Sequence, residues 1–277
     1  MELLKSLYEI HSPTGSEWRM IKFVLDYLAK MVPQAQVNID SRGNMYICRS
    51  NLQKEEHKSG FPTLCCHLDQ VQILHSADFE VKERIIENPE SGEKHLELFG
   101  WSESRNAQEG LGGDDKNGIW VCLKALEKID HLKVFMAIGE EKGCWGSNRA
   151  DLKFFEDSLY ILEPDCKGGQ EIRTLLRGVP VASKEFEEAL EAEKFGYIIA
   201  EGKTTDILPL TLSGVGVSCA NIPCGYYNPH KDDEYCKVEE LNKCLNFVLH
   251  TIDNLQKKFP HSYKTETQLW VENNLKL

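Results

Sequence analysis

Gly113-Asp114-Asp115-Lys116-Asn117-Gly118 sets two adjacent carboxylates between a glycine-rich approach (Gly110, Gly112, Gly113) and the apolar run Ile119-Trp120-Val121-Cys122-Leu123. Apolar side chains at 119, 122, 123 and 126 recur at helical spacing, so the acidic pair reads as the start of a helix over 117–129. Carboxylates suit that end: they accept from the free N–H groups of the first turn and complement the helix dipole. On that ground alone the pair needs no function. Four other stretches change the balance. They are His67-Leu68-Asp69, Glu140-Glu141, Glu163-Pro164-Asp165 and Pro229-His230, each at the end of an apolar run that reads as a strand.

Outward from this stretch, helical and extended patterns alternate. Helices are expected over 2–10 and 16–31, the second with an apolar stripe of Trp18, Ile21, Val24, Leu25 and Leu28. A hairpin of 36–40 and 44–48 turns at Ser41-Arg42-Gly43. Strands are expected at 62–66, 132–137, 158–162, 197–200 and 215–220, with strand and turn over 175–181. Short helical segments are expected near 145–154 and 204–211, a charged helix over 184–194, and a last helix over 237–259. Residues 72–110 are more polar and read as a surface excursion with one strand near 95–99. The alternation predicts an α/β fold: a three-layer sandwich around a mixed, mostly parallel central sheet. No repeat or linker divides the chain, so 1–277 is expected to form one catalytic domain.

Composition narrows the function. At 277 residues, 41% apolar and 27% charged, the chain can build a full globular core. A net charge of −12 argues against nucleic acid or an anionic membrane as partner. No apolar run approaches the roughly 18 residues of a membrane helix, and the first residues lack a signal peptide's apolar core. The ten cysteines are scattered, without a CxxC pair, and several sit in apolar runs where a free thiol acts as a small hydrophobe. A reduced, cytoplasmic protein is expected.

In an open α/β sheet, ligands bind outside the carboxyl ends of the strands. His67, Glu140, Glu141, Asp165 and His230 all arrive there and would repel one another without a positive charge among them. Two divalent ions about 3.5–4 Å apart, bridged by one carboxylate, meet that need. The donors are nitrogen and oxygen with no thiolate, which suits zinc and leaves cobalt and manganese open.

Four motifs, in order along the chain, resemble the co-catalytic zinc exopeptidases of the M20 group, which includes tripeptidase (peptidase T) and glutamate carboxypeptidase. They are His67-Leu68-Asp69, Gly113-Asp114-Asp115-Lys116, Glu140-Glu141-Lys142-Gly143 and Asn228-Pro229-His230. Residues 139–147 are similar to the carboxypeptidase, and Ser12-Pro13-Thr14-Gly15-Ser16-Glu17 resembles the group's N-terminal segment. The likeness runs from about residue 3 to 259.

The resemblance implies that Asp114 bridges two metals and is joined to Asp115 by a cis peptide bond. It implies that His67 and Asp165 bind one metal, and Glu141 and His230 the other. Asp69 would orient His67 as a catalytic partner. Glu140 would be the general base that takes a proton from the metal-bridging water and returns it to the leaving amine. At the third motif, Glu163-Pro164 is worded like the carboxypeptidase, whereas the spacing after Asp165 is like the tripeptidase; Asp165 is preferred over Glu163. His57, His75, His95, His131, His250 and His261 fit no motif.

The short span from Asp165 to His230 has no room for the lid or dimerisation domain that M20 enzymes insert there. Substrate contacts would therefore come from local loops: Gly202-Lys203-Thr204-Thr205-Asp206, Tyr226-Tyr227-Asn228, and a cleft wall from 72–110. Any oligomer would form without the usual lid interface. The expected activity is that of a zinc-dependent exopeptidase on short peptides, most simply an aminopeptidase. An N-acyl amino-acid deacylase is the alternative on the same chemistry, and a non-catalytic binding protein on the same fold is the alternative in kind.

Overall fold

A computed structural model describes residues 1–51, 53, 59–87 and 92–264; His57 falls outside them. Its main feature is a nine-stranded sheet in the order β1-β2-β7-β3-β8-β12-β9-β10, with β11 paired to β9. The strands are β1 (Gln36–Ile39), β2 (Met45–Arg49), β3 (Phe61–His67), β7 (Leu132–Ala137), β8 (Ser158–Cys166), β9 (Glu171–Leu176), β10 (Val179–Pro180), β11 (Ile198–Gly202) and β12 (Cys219–Pro223). The central strands β7, β3, β8 and β12 run parallel to one another, and the β1-β2 hairpin adds antiparallel to β7. The sheet is thus mixed with a parallel centre, as the alternation predicts.

Every residue of β3, β7 and β8 is buried, which marks a sheet covered on both faces. Alternate side chains sort into two cores. Leu64, Cys66, Val134, Met136 and Leu162 join one core with α1 (Glu2–Tyr8), α2 (Trp18–Met31), α3 (Gly113–Lys128) and α6 (Val238–Asn254). Cys65, Phe135, Ala137 and Ile161 face a second with α5 (Ile207–Leu212) and Phe155. Three layers result. Pro62 and Pro164 are tolerated inside this sheet near irregularities in the ladder: register shifts at Phe61/Pro62 and at Asn221/Pro223.

The polar excursion is more ordered than its sequence suggests. β4 (Phe79–Glu87), β5 (Lys94–Ser102) and β6 (Ala107–Glu109) join β13 (Tyr226–Tyr227) and β14 (Tyr235–Lys237) in a five-stranded sheet. Only one of these strands was legible, because most of β4 faces solvent and carries charge. Pairing with distant β14 and the inward side chain of Leu98 hold the unit to the main core.

Three local expectations need correction. Residues 145–154 form two single 3₁₀ turns, at Ser147–Arg149 and Leu152–Phe155, rather than a helix. The charged helix ends early: α4 covers Lys184–Ala189, and Glu191 turns the chain with a φ of 48°. The strand expected at 215–220 lies at 219–223, because Gly214 and Gly216 form a turn with φ of 87° and 80°.

Phe135 lies at the centre of β7, fully buried, with ring centroids 5.2 Å from Tyr46 and 5.4 Å from Phe155. Phe135→Ala should lower unfolding free energy by about 3–5 kcal/mol, the usual cost of an aromatic-sized cavity. Urea unfolding followed by circular dichroism measures it.

Candidate metal centre

Asp114 and Asp115 open α3, and the peptide bond between them is cis. Their side chains part company. Asp115 is fully buried and accepts from the backbone N–H of Gly118 (2.9 Å) and of His67 (3.2 Å), so it caps the helix and ties it to the end of β3. Asp114 turns into the cleft. The capping explanation of the acidic pair thus holds for Asp115, and Asp114 is left for the site.

The two oxygens of Asp114 face two groups of donors. Oδ1 lies 3.1 Å from His67 Nε2, which is 3.7 Å from Asp165 Oδ1. Oδ2 lies 3.2 Å from His230 Nε2, which is 3.0 Å from Glu141 Oε1. Within His67–Asp114–Asp165, and again within Asp114–Glu141–His230, the donor atoms all stand within 4.8 Å of one another. The structure therefore brings together the five residues expected as ligands. Glu163, the alternative to Asp165, is turned away: it meets Cys65 and accepts from the Thr205 hydroxyl.

These donors fit divalent ions. Nitrogen and oxygen ligands bound at about 2.0–2.2 Å stand roughly 3.3–3.6 Å apart around a tetrahedral ion, close to the spacings found. Glu141 Oε1 is buried, and beyond the His230 Nε2 contact at 3.0 Å it has no donor among the described residues. Such an atom suits a lone pair meant for a cation.

The electrostatics agree. Burial and the nearby Asp114 push the Asp165 carboxyl up to about 7. Burial, helped by Asp165, Asp206 and Asp114, pushes Glu140 up to about 9, and burial also raises Glu141. Asp114, against its own burial, is held low by His230 and His67. His230 rises to about 10 beside Asp114 and Glu141. Too many carboxylates share too little water, and a cation among them would relieve the strain on all.

Asp69 does more than was expected of it. Its backbone carbonyl accepts from His67 Nδ1 at 3.0 Å; its carboxylate stands 3.3 Å from the same nitrogen and accepts from Thr14 Oγ1 (2.8 Å) and from the backbone N–H groups of Glu140 (3.0 Å) and Glu141 (3.3 Å). One buried acid thus orients the histidine and fixes the turn that presents both glutamates. Thr14 reaches it because the segment around Pro13 bridges to Gln70.

Sequence reasoning missed Glu234, which sits in what reads as a polar loop after His230. It is fully buried and accepts from the N–H of Gly112 (2.6 Å), the N–H of Asp114 (3.2 Å) and Gln72 Nε2 (2.9 Å). Gly112, the N-cap of α3, has no side chain to cap with, so a remote carboxylate does the work. Asp206, placed in a substrate loop by sequence, is instead buried behind the Glu140 turn and accepts from the Ser147 hydroxyl.

A cleft of about 680 Å³ opens over the donors, lined also by Thr204, Thr205 and Tyr226. Tyr227 and Asn228 line a neighbouring hollow. The described residues of 72–110 contribute nothing to the lining of this cleft, and Gln72 instead supports Glu234 beneath α3.

Glu234→Ala would leave the N–H groups of Gly112 and Asp114 buried without acceptors. We expect unfolding free energy to fall by roughly 2–6 kcal/mol, since each of the two orphaned donors costs about 1–3 kcal/mol. Glu234→Gln, which keeps one acceptor oxygen, should lose less. Chemical denaturation of the three proteins compares them.

No protein-family model matches this sequence, and no curated protein does. Solved structures match it throughout. Aminopeptidase PepT of Bacillus cereus superposes with a TM-score of 0.70 at 15% identity, over 92% of this chain and 98% of that one. An aminopeptidase of the archaeon Desulfurococcus kamchatkensis gives 0.65 at 18% identity, over 93% and 94%. A tripeptidase of Staphylococcus aureus gives 0.67 at 12% identity, over 92% and 97%. At these identities the likeness is one of fold: the chain carries the α/β fold of these peptidases.

Proposed function

We propose that this chain is a dinuclear-metal-dependent exopeptidase that removes residues from the amino end of short peptides. The observation that carries the reading is Asp114, whose two oxygens each face a histidine and a further carboxylate. His67, Asp114 and Asp165 would hold one ion; Asp114, Glu141 and His230 the other; zinc suits these nitrogen and oxygen donors. The fold shared with two aminopeptidases and a tripeptidase supports peptide as the substrate class. No described helix is long and apolar enough to cross a membrane, and the ten cysteines are unpaired, which suits a reducing compartment. We take residues 1–277 as one catalytic unit, since β9 to β12, between Asp165 and His230, all belong to the main sheet.

When bound, divalent ions supply Lewis acidity and make a water molecule nucleophilic near neutral pH. The remaining work falls to the chain. Asp69 holds the His67 ring through Nδ1, leaving Nε2 to face the cleft. The turn hung on Asp69 places Glu140 beside the donors, and its Oε1 accepts only from the Cys144 thiol, at 3.5 Å. Glu140 is the carboxylate free to take the proton of the attacking water and deliver it to the leaving amine as the C–N bond breaks. One water is consumed, and a carboxylate and an amine are released.

Elemental analysis of the purified full chain should find about two divalent ions, and a chelator should remove both metal and peptide cleavage. Glu140→Gln should lower kcat by roughly 10²–10⁴-fold with the metal content unchanged. His230→Ala should lose one ion of the pair. An unaffected Glu140→Gln would sink the mechanism. Cleavage of N-acyl amino acids in place of free-amine peptides would replace the aminopeptidase with a deacylase.

A further inference from the structure

The cleft that holds the donor groups is also lined by a set of cations. Lys167 follows β8 at its end, Arg173 lies on β9, Arg177 is in the turn after β9, and Lys203 follows β11; all four line the same cleft as Asp114 and Glu140. The chain as a whole carries a net charge of −12, so such a cluster is not a sample of the average surface. Lys167, Arg177 and Lys203 make no ion pair with a carboxylate among the described residues. Unpaired like charges facing one hollow repel one another and favour an anionic guest.

Arg173 is the built part of this wall. One guanidinium nitrogen lies 3.3 Å from Glu171 Oε2, but its Nε is buried and has no partner. A buried donor left without a partner is costly and calls for an explanation. Its stem lies across Gly202 on β11, where an added Cβ would come within 2.4 Å of Arg173 Cδ. The next strand thus leaves an opening the width of one side chain, and the arginine lies in it. Arg177 is held nearby by its N–H, which donates to Gly202 O at 3.1 Å. Glu201 lines the cleft among them, with one carboxylate oxygen accepting from the N–H of Gly178 at 3.1 Å.

We infer that this wall is a subsite for a carboxylate of the peptide substrate, with Arg173 as its centre and Lys167, Arg177 and Lys203 around it. The inference rests on the peptidase reading and narrows it to peptides that carry a carboxylate within reach of the metal centre. A guanidinium fork matches a carboxylate geometrically, and the lysines add charge without direction. Pockets of about 300–1,000 Å³ hold small ligands, so in this cleft the carboxylate is either the C-terminus of a short peptide or an acidic side chain. Arg173 therefore selects substrate and leaves the bond-breaking step to the residues of the metal centre.

The test uses the metal-loaded full chain and alanine tripeptides with a free or amidated C-terminus, together with Ala-Glu-Ala-amide and Ala-Gln-Ala-amide. Loss of the terminal carboxylate should raise KM roughly 10- to 100-fold, the range for a lost charge-assisted hydrogen bond. If the side chain is the source instead, the Glu and Gln amides should differ by that factor and the two alanine peptides should not. Calorimetric binding of the same peptides to Glu140→Gln provides a readout independent of turnover. Arg173→Met should erase the preference, Arg173→Lys should restore part of it, and Gly202→Ala should weaken it by displacing the arginine stem. Equal handling of all four peptides by the wild-type chain overturns the subsite even if a variant fails to fold, and leaves the peptidase reading standing. Selective binding without hydrolysis of any peptide upholds the subsite and overturns the peptidase.

Discussion

The start of α3 is held by two fully buried carboxylates. Asp115 links it to the end of β3, and Glu234 links it to the loop that carries His230. Both replace backbone hydrogen bonds that the first turn of any helix lacks. The cleft inherits its geometry from that solution. Asp114 is presented by the turn being capped, His67 by the strand being tied, and His230 by the segment leading to Glu234. A helix-capping problem, met with long-range acids, thereby sets where three donors meet.

A second constraint follows from concentrating so much negative charge in one place. Burial raises the proton affinity of Glu140, Glu141, Asp165 and Asp206, and neighbouring carboxylates raise it further, Asp114 acting on the first three. Folding alone has no use for such crowding, since an apolar cluster of the same volume would be more favourable. A dication would supply what the polypeptide withholds. The proposed ligand set and the cationic lining of the cleft express one principle. The carboxylates would hold metal, and arginine and lysine would hold the charge of the substrate.

The absence of an inserted lid shifts work onto the main sheet. The chain between Asp165 and His230 is spent on β9, β10, β11 and β12, so the cleft wall is made from strand ends and short turns. Gly202 and Arg173 show how little is needed: a missing Cβ on one strand lets the neighbouring strand's side chain cross it. The second sheet, from 79–109 and 226–237, serves the site from outside by bringing Glu234 and Gln72 under α3.

Much of this was legible along the chain because its causes are local. Continuous apolar runs mark β3, β7 and β8, helical spacing marks α2, α3 and α6, and acids or histidines at strand ends mark the candidate centre. What stayed hidden depends on partners far away in sequence. β4 looks like polar surface until β5 pairs with it and ties it to β14, and Glu234 looks like loop until Gly112 and Asp114 turn their N–H groups toward it. Glu163 and Asp165, alike as chemistry, part only when the sheet turns one to Thr205 and the other to His67. Sequence by itself determined which residue types arrive at the carboxyl edge of an α/β sheet, since periodicity and strand ends are properties of neighbours. Tertiary structure alone decided which carboxylate caps, which meets a histidine and which supports the turn, because those roles depend on hydrogen-bond partners that only the folded chain brings within reach.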